Sequence, residues 1–444
     1  MDKKIPKAES KKREPGASGF RAVKGMHDVL PADQPWWDRV ERQAKELADF
    51  YCFNRIDTPL LESVDLFTRT VGGDSDIVQK EMYTLKTRGG SVLALRPEAT
   101  ASVVRAYIEH SLGRISQPQK LFYMGPMFRH ENPQLGRLRQ FSQIGFEVIG
   151  GTDDPIYDAQ VIIIFDRFLK NLKIRDISLK INSIGCRVCR PGYKRQLQSY
   201  YKAYEKSLCE DCKRRLKTNP LRLLDCKNKE CQPFKEKAPN FLDKICTQCS
   251  RHFKGVLEYL DEVELPYSLD NQLVRGLDYY NRTVFEMSAG DGAFGVLPAG
   301  GRYDYLADLL GSRTTPAIGG AVSFERIIET MKAQEIKLPI KPMRKVFIVH
   351  VGELAKKKSL RLIEELRIGG IPISESLGKE SIKAQLKVAD KQKNNLALIF
   401  GQKEIYEESV IIRDLRTGLQ ETVFLAKLIP EIQKRLKEKV ADNS

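Results

Sequence analysis

Tyr123-Met-Gly-Pro-Met-Phe-Arg129-His-Glu131-Asn-Pro-Gln-Leu-Gly-Arg137-Leu-Arg139-Gln-Phe141-Ser-Gln143-Ile-Gly145-Phe-Glu147 reads as strand, loop, strand. The first strand ends on Arg129 and Glu131, and the loop carries Arg137 and Arg139. On the second strand Phe141, Gln143, Gly145 and Glu147 are alternate residues and share one face. Arginines at a hairpin mouth, beside an aromatic ring and polar side chains, suit a nucleotide: guanidinium forks grip phosphate and a ring stacks on a base. An exposed hairpin with a solvated loop would not alternate Glu and Gln with apolar residues along its strand.

Outward from this hairpin the pattern is strands broken by single helices. A helix is expected from Trp36 through Val40, Ala44 and Leu47, behind Pro31 and Pro35. Strands are expected at Asn54 to Thr58, Met82 to Lys86, Ser91 to Leu95, Lys120 to Met127 and Phe141 to Gly150, with helices at Ala99 to His110 and Ile156 to Asn171. That order predicts an α+β fold on an antiparallel sheet, not alternating βαβ units. Residues from about Gly185 to Leu260 read as helical. Strands resume at Tyr267 to Leu269 and Thr283 to Met287, so the helical stretch looks inserted into one domain. A Gly-rich stretch, Gly290 to Gly301, then leads to helices at Tyr303 to Leu310 and Phe324 to Ala333. After a proline-containing linker, Ile336 to Pro342, strands and helices alternate in a βαβ-type domain of about 100 residues. The expected organisation is a tail at 1–19, a catalytic domain at 20–183 and 262–335, an insertion at 184–261 and a last domain at 343–444.

The chain carries 74 Lys and Arg against 58 Asp and Glu, a net charge of +16. Residues 184–260 hold 18 of the bases against eight acids. One basic region inside a longer chain suits a polyanionic partner such as a nucleic acid. No run approaches the roughly 18 apolar residues of a membrane span, and the N-terminus has no apolar signal core, so a cytoplasmic protein is expected. The Lys-, Ser- and Gly-rich first 18 residues read as a disordered tail.

Three further stretches carry chemistry. In Leu273-Val-Arg275-Gly-Leu-Asp-Tyr279-Tyr280-Asn-Arg-Thr-Val-Phe-Glu286, Arg275 precedes a glycine that permits close approach of a ligand. Two adjacent tyrosines cannot share one face of a strand, so one is expected to pack while the other presents its hydroxyl. Ala299-Gly-Gly-Arg-Tyr303-Asp304 reads as a glycine pair ahead of a helix, and Ala317 to Arg326 as small residues leading into one.

The hairpin resembles motif 2 of class II aminoacyl-tRNA synthetases, Gly319 to Arg326 resembles motif 3, and Pro59 fits the motif 1 proline. The peptides Arg275 to Glu286 and Gly300 to Asp304 look like the two signature peptides of histidyl-tRNA synthetases, and Arg96-Pro-Glu-Ala-Thr100 is similar to that family's amino-acid-binding turn, with Ala99 where a glycine is usual. The resemblance runs from about Phe20 to the C-terminus and implies a class II antiparallel sheet with helices, a helical insertion and a C-terminal α/β anticodon-binding domain, the latter matched by Ser376 to Lys387. It implies a histidine–tRNA ligase, in which Glu98, Thr100 and Gln143 hold the histidine amino group, while Glu147, Tyr280 and Tyr303, with Tyr279 beside them, read the imidazole. Arg129 would grip the α-phosphate of ATP, Arg137 and Arg326 the outer phosphates, Phe141 the adenine ring and Glu131 its edge. Arg275 and Arg129 would be the catalytic cations, Mg²⁺ would accompany ATP, and tRNA(His) would take the histidine. A homodimer, joined near Trp36 to Pro59, is implied as well. The alternative within the superfamily is a non-catalytic histidine-binding regulatory paralogue. Such proteins typically lack the C-terminal domain and parts of the signature peptides, both of which are present here.

Eight of nine cysteines fall in the insertion as Cys186/Cys189, Cys209/Cys212, Cys226/Cys231 and Cys246/Cys249. Cys226 and Cys231 have four residues between them and the other pairs two; two-residue spacing lets both thiolates of a pair bind one tetrahedral Zn²⁺, so the four pairs could make two structural zinc sites. Ordinary packed thiols are the alternative, and which pairs would join is open. Cys52 is expected in the core.

Overall fold

The computed structural model describes residues 20–338 except 74, 135 and 291, and residues 345–438. The expected tail at 1–19 and part of the expected linker lie outside the described residues. The chain divides into two compact units, Met1–Leu338 and Pro339–Ser444.

The first unit begins with α1 (Gln34–Phe50), which starts at a Pro in its first turn and buries Val40, Ala44, Leu47 and Ala48 on one stripe. Strands β1 (Asn54–Arg55) and β2 (Leu61–Ser63), α2 (Val64–Val71), and strands β3 (Thr84–Lys86) and β4 (Val92–Leu95) follow. Next come α3 (Thr100–Glu109), the hairpin strands β5 (Gln119–Phe128) and β6 (Gln140–Ile149), α4 (Ile156–Asn171) and β7 (Ile177–Ser183). The inserted stretch is helical, with α5 (Arg190–Lys202), α6 (Glu210–Thr218), α7 (Gln232–Glu236) and α8 (Thr247–Glu262). The chain then returns to the sheet through β8 (Ser268–Leu269), β9 (Asn281–Ala289), β10 (Ala299–Arg302), α9 (Leu306–Leu309), β11 (Ala317–Ser323) and α10 (Phe324–Ala333).

Eight strands form one sheet in the order β1-β5-β6-β11-β10-β9-β7-β8. It is antiparallel except for the short edge pairs β1–β5 and β7–β8. One face carries α1, α4, α8 and α10, whose apolar residues close over Ile144, Phe146 and Val148 of β6, Phe285 of β9 and Val322 of β11. Each fully buried side chain of this size contributes about 1.5–3 kcal/mol. The odd-numbered residues of β6 face the other way, where α3, the insertion and the signature peptides cover the sheet. The inserted stretch is bound to both layers: Tyr193, Leu197 and Tyr201 of α5 cluster with Tyr280 and Tyr303, while Phe253 and Val256 of α8 join the helical face.

Two expectations are corrected here. The Gly300–Gly301 pair, expected directly ahead of a helix, lies in a strand, and residues 317–323, which do lead into a helix as expected, are a strand as well. They are strands β10 and β11, paired with each other in the middle of the sheet, and the predicted helix over 303–310 shrinks to Leu306–Leu309. Glycine has poor strand propensity, but a Cβ on Gly300 would lie 2.2 Å from the Gly319 carbonyl oxygen, so packing selects it. Cys52 is exposed, not core. It sits in the turn after α1 at φ +58°, which points it out of the layer.

The second unit is a five-stranded sheet, built from β12 (Val346–His350), α11 (Glu353–Ile368), β13 (Ile373–Glu375), α12 (Ile382–Lys391), β14 (Leu396–Phe400), α13 (Gln402–Tyr406), β15 (Ser409–Asp414), β16 (Gln420–Phe424) and α14 (Leu425–Glu438). Its order is β13-β12-β14-β15-β16, parallel through β14 and antiparallel after it. Val346, Ile348, Leu398 and Ile412 form its core with Leu362 and Leu366 of α11.

Candidate active site and two cysteine clusters

A cavity of about 390 Å³ opens on the polar face of the β5–β6 hairpin, a size typical of small-molecule sites. Among the sequence-predicted residues, Glu98, Thr100, Arg129, Glu131, Arg137, Phe141, Gln143, Arg275, Tyr279, Tyr280 and Arg326 all line it. Glu147 and Tyr303 do not reach its surface and stand behind the wall.

The floor is polar and buried. Glu98 precedes α3 and accepts hydrogen bonds from the backbone amides of Thr100 (2.7 Å) and Ala101 (3.0 Å), so it caps the free amides of the first turn. Thr100 Oγ1 donates to Glu147 Oε1 at 2.7 Å, and Tyr303 Oη donates to Glu147 Oε2. Glu147 has room because Gly319 is opposite it in the register of β6 and β11. Burial pushes the Glu147 carboxyl up to about 8, although the hydroxyls of Tyr303 and Thr100 pull it down. Burial raises Glu98 in the same direction, against its two amides.

Burial thus favours the protonated form of Glu147 in the ligand-free protein. Its folded value lies above the ordinary 4.5, so its contribution to stability is complete below about 4.5 and is lost as pH rises through about 8. Against a Glu147→Gln variant, which does not titrate, wild type without histidine is expected to lose thermal stability progressively between about pH 5 and pH 8.5. A Tm difference that stays flat across that window would contradict the assignment.

Four guanidiniums converge on the cavity. Arg129 donates to the Pro97 carbonyl (2.9 Å) and lies 5.3 Å over the Phe141 ring. Arg137 reaches Glu131 at 3.3 Å. Arg326, in the first turn of α10, donates to the Gly136 and Val296 carbonyls. Arg275 pairs with Glu286 at 2.5 Å and lies over Tyr280. Burial lowers the pKa of Arg326, and Arg137 and Arg129 lower it further. Buried cations that repel one another create a site for an anion. Two buried polar atoms, Gln143 Oε1 and Arg275 Nε, have no partner.

Both tyrosines of the 279–280 pair line the cavity and both are buried, which corrects the expectation that one packs away. They precede β9, so strand alternation does not apply to them. Sequence reasoning missed Tyr123, whose ring crosses the bare backbone of Gly145, and the pairing of Glu286 with Arg275. It also missed Asp225 and Lys227, which the insertion brings to the cavity. Arg302 and Asp304 of the second signature-like peptide are structural. Arg302 is 1% exposed and bridges Asp158 and Asp304, and Asp304 accepts from Asn281 at 2.7 Å.

The insertion cysteines form two groups, Cys186/Cys189/Cys246/Cys249 and Cys209/Cys212/Cys226/Cys231, with the second nested in sequence inside the first. Sulfur separations of 3.7 Å (Cys186–Cys189), 3.8 Å (Cys186–Cys246, Cys189–Cys249) and 3.9 Å (Cys209–Cys226) match a tetrahedron with metal–sulfur bonds of about 2.3 Å, whose edge is about 3.8 Å. They are far too long for disulfides. The backbone amides of Val188 and Asn228 donate to the Cys186 and Cys226 sulfurs at 3.3 and 3.4 Å.

Residues 25–327 match the family model for histidyl-tRNA synthetase and residues 345–435 the model for an anticodon binding domain. The histidine–tRNA ligase of Dehalococcoides mccartyi is 46% identical over 94% of this chain and 100% of its own length. That of Halothermothrix orenii is 43% identical over 93% of this chain and 99% of its own. The apo crystal structure of S. aureus histidyl-tRNA synthetase superposes with a TM-score of 0.77 at 34% identity, covering 93% of this chain and 99% of that one. A Bacillus halodurans structure described as an ATP phosphoribosyltransferase regulatory subunit/histidyl-tRNA synthetase is 20% identical with a TM-score of 0.60, a likeness of fold alone.

Proposed function

The chain belongs to the histidyl-tRNA synthetase family and is a histidine–tRNA ligase that uses ATP; from that premise we propose how its residues divide the work. The observation that carries the reading is the convergence of Arg129, Arg137, Arg275 and Arg326 on a cavity lined by the buried carboxyl of Glu98, with that of Glu147 just behind its wall. Phosphates occupy the cationic wall and the amino acid the polar floor.

Histidine enters with its ammonium toward Glu98 and Thr100 and the partnerless Gln143 Oε1. Its imidazole meets Tyr279 and Tyr280, and Glu147, held by Tyr303, supplies the polar group that distinguishes a ring with two nitrogens. ATP enters as its Mg²⁺ complex. Its adenine stacks on Phe141 with Glu131 at its edge, Arg129 takes the α-phosphate, and Arg137 and Arg326 take the outer phosphates. The histidine carboxylate attacks the α-phosphorus, an O–P bond forms and diphosphate leaves. Arg275, released from Glu286, neutralises the charge that builds on the α-phosphoryl oxygens. In the second step the terminal ribose hydroxyl of tRNA(His) attacks the histidyl carbonyl carbon and AMP leaves. No enzyme nucleophile is required. Histidine-dependent ATP–pyrophosphate exchange tests this across all amino acids. Exchange with histidine alone fits the reading, and exchange with another amino acid, or none in folded protein, overturns it.

The family match at 345–435 supports anticodon contact by the last domain, and the exposed Lys383, Lys387 and Lys391 of α12 are the side chains we assign to it. Homodimerisation has support in exposed Phe50 at the end of α1 and in exposed Leu61, Leu85 and Val92 of the small β2-β4-β3 sheet. No described helix is long and apolar enough to cross a membrane; the many unpaired thiols suit a reducing cytoplasm. Both cysteine groups are assigned to structural Zn²⁺. Protein prepared without chelator is expected to hold about two zinc ions per chain by elemental analysis, and metal-free, fully folded protein would remove the assignment.

A further inference from the structure

The nested cysteine group stands next to the active site, and the chain that links its members touches that site repeatedly. Between Cys212 and Cys226, Asn219 donates to Asp278 at 2.9 Å, and Arg222 donates to the Arg275 carbonyl at 3.2 Å. Arg222 and Arg215 also both reach Asp76. The segment thus grips the signature peptide that carries the catalytic arginine. It then passes through Cys226, whose sulfur is buried in the four-thiol group, while its neighbours Asp225 and Lys227 are exposed and line the cavity. Among the described residues the Lys227 ammonium forms no hydrogen bond or ion pair. It stands close enough to Glu286, the partner of Arg275, to favour its charged form.

We propose that Lys227 is a phosphate-binding residue of the active site, held at the cavity by the metal-closed group of Cys209, Cys212, Cys226 and Cys231. The proposal rests on the zinc assignment for its second half only. A lysine on a free loop would stay solvated and lose side-chain entropy on binding. Here the backbone on one side of Lys227 is anchored by Cys226 and, four residues on, by Cys231, so the loop is short and fixed at both ends. A fixed cation at the rim of a cavity already lined by four arginines meets phosphate. Two sources present phosphate to this cavity: the triphosphate of ATP and the acceptor end of the tRNA.

The test uses the full-length protein. Lys227→Ala is expected to raise KM for ATP in histidine-dependent exchange about tenfold, the scale of one charge-assisted hydrogen bond, with KM for histidine and Tm unchanged, and Lys227→Arg is expected to restore it. If exchange is unaffected but KM for tRNA in aminoacylation rises about tenfold, the phosphate is that of the tRNA and the proposal stands. If neither constant moves, it falls. Cys226→Ser/Cys231→Ser is expected to lose one zinc equivalent and to make Lys227→Ala silent, because the lysine is no longer held in place. An undiminished Lys227→Ala effect in that metal-depleted background would overturn placement by the metal. A wild type without zinc that still shows the Lys227→Ala effect would overturn the zinc assignment and leave the lysine.

Discussion

Arg275→Ala is expected to lower kcat for histidine-dependent ATP–pyrophosphate exchange by about 10²–10³, or about 2.7–4 kcal/mol of transition-state stabilisation. Its guanidinium lies 5.4 Å over Tyr280 and pairs with Glu286 at 2.5 Å, with its Nε buried and without a partner. That arrangement holds the cation in the cavity before substrate arrives, so its release from Glu286 is the one change it needs to meet the α-phosphate. The loss should fall on kcat more than on KM for histidine, since the amino acid is held by the floor and not by this arginine. The substitution also strips Glu286 of its counter-charge. Burial already raises the Glu286 carboxyl, and Arg275 is the strongest influence pulling it down. Some stability is therefore lost with the single variant. Arg275→Ala/Glu286→Gln separates the two effects: it should recover Tm and leave exchange as slow as before. Recovery of both would make Arg275 a structural residue, and exchange within about threefold of wild type in the single variant would remove it from the chemistry.

The hairpin that holds most of the site was legible because a strand alternation and a cluster of arginines coincide in it. Alternation placed Phe141, Gln143, Gly145 and Glu147 on one face, and the arginines fell at its mouth. The middle of the sheet was not legible. Residues 299–302 carry no β-branched or aromatic side chain, and residues 317–323 carry only Ile318 and Val322; their glycines answer to distant neighbours, the Glu147 carboxyl, the Phe165 ring and each other's backbone. Propensity describes a residue's own preferences and cannot register a neighbour that the fold brings to it. The same limit left the cysteine pairing open. Spacing identifies each local pair, but Cys186 meets Cys246 across 60 residues, and only the fold of the insertion brings them together. Arg302 shows the reverse case. An arginine inside a signature-like peptide looks functional, yet its burial against Asp158 and Asp304 makes it a brace for the strand end.

That demand for bare backbone makes Gly319 the position of greatest sensitivity outside the charged residues. A Cβ added there would lie 1.5 Å from Glu147 Oε2 and 2.8 Å from the Phe146 carbonyl oxygen. The second contact is to backbone in a central strand and cannot be relieved by a rotamer change. The first can be relieved only by expelling the Glu147 carboxyl from its bonds with Thr100 and Tyr303. Gly319→Ala is therefore expected to destabilise the protein by about 3 kcal/mol. It should also raise KM for histidine more than tenfold, about 1.4 kcal/mol or more, while KM for ATP moves little. The pair Gly319→Ala/Glu147→Ala decides what the loss means. Shortening Glu147 removes the carboxyl that the new methyl strikes, so the double variant should be more stable than the sum of the two single changes predicts. Histidine binding should stay weak in it, because the carboxyl is absent. A Gly319→Ala protein that melts with wild type and binds histidine normally would show that the sheet yields at this point, and Glu147 would then lose its claim to be fixed by the glycine opposite.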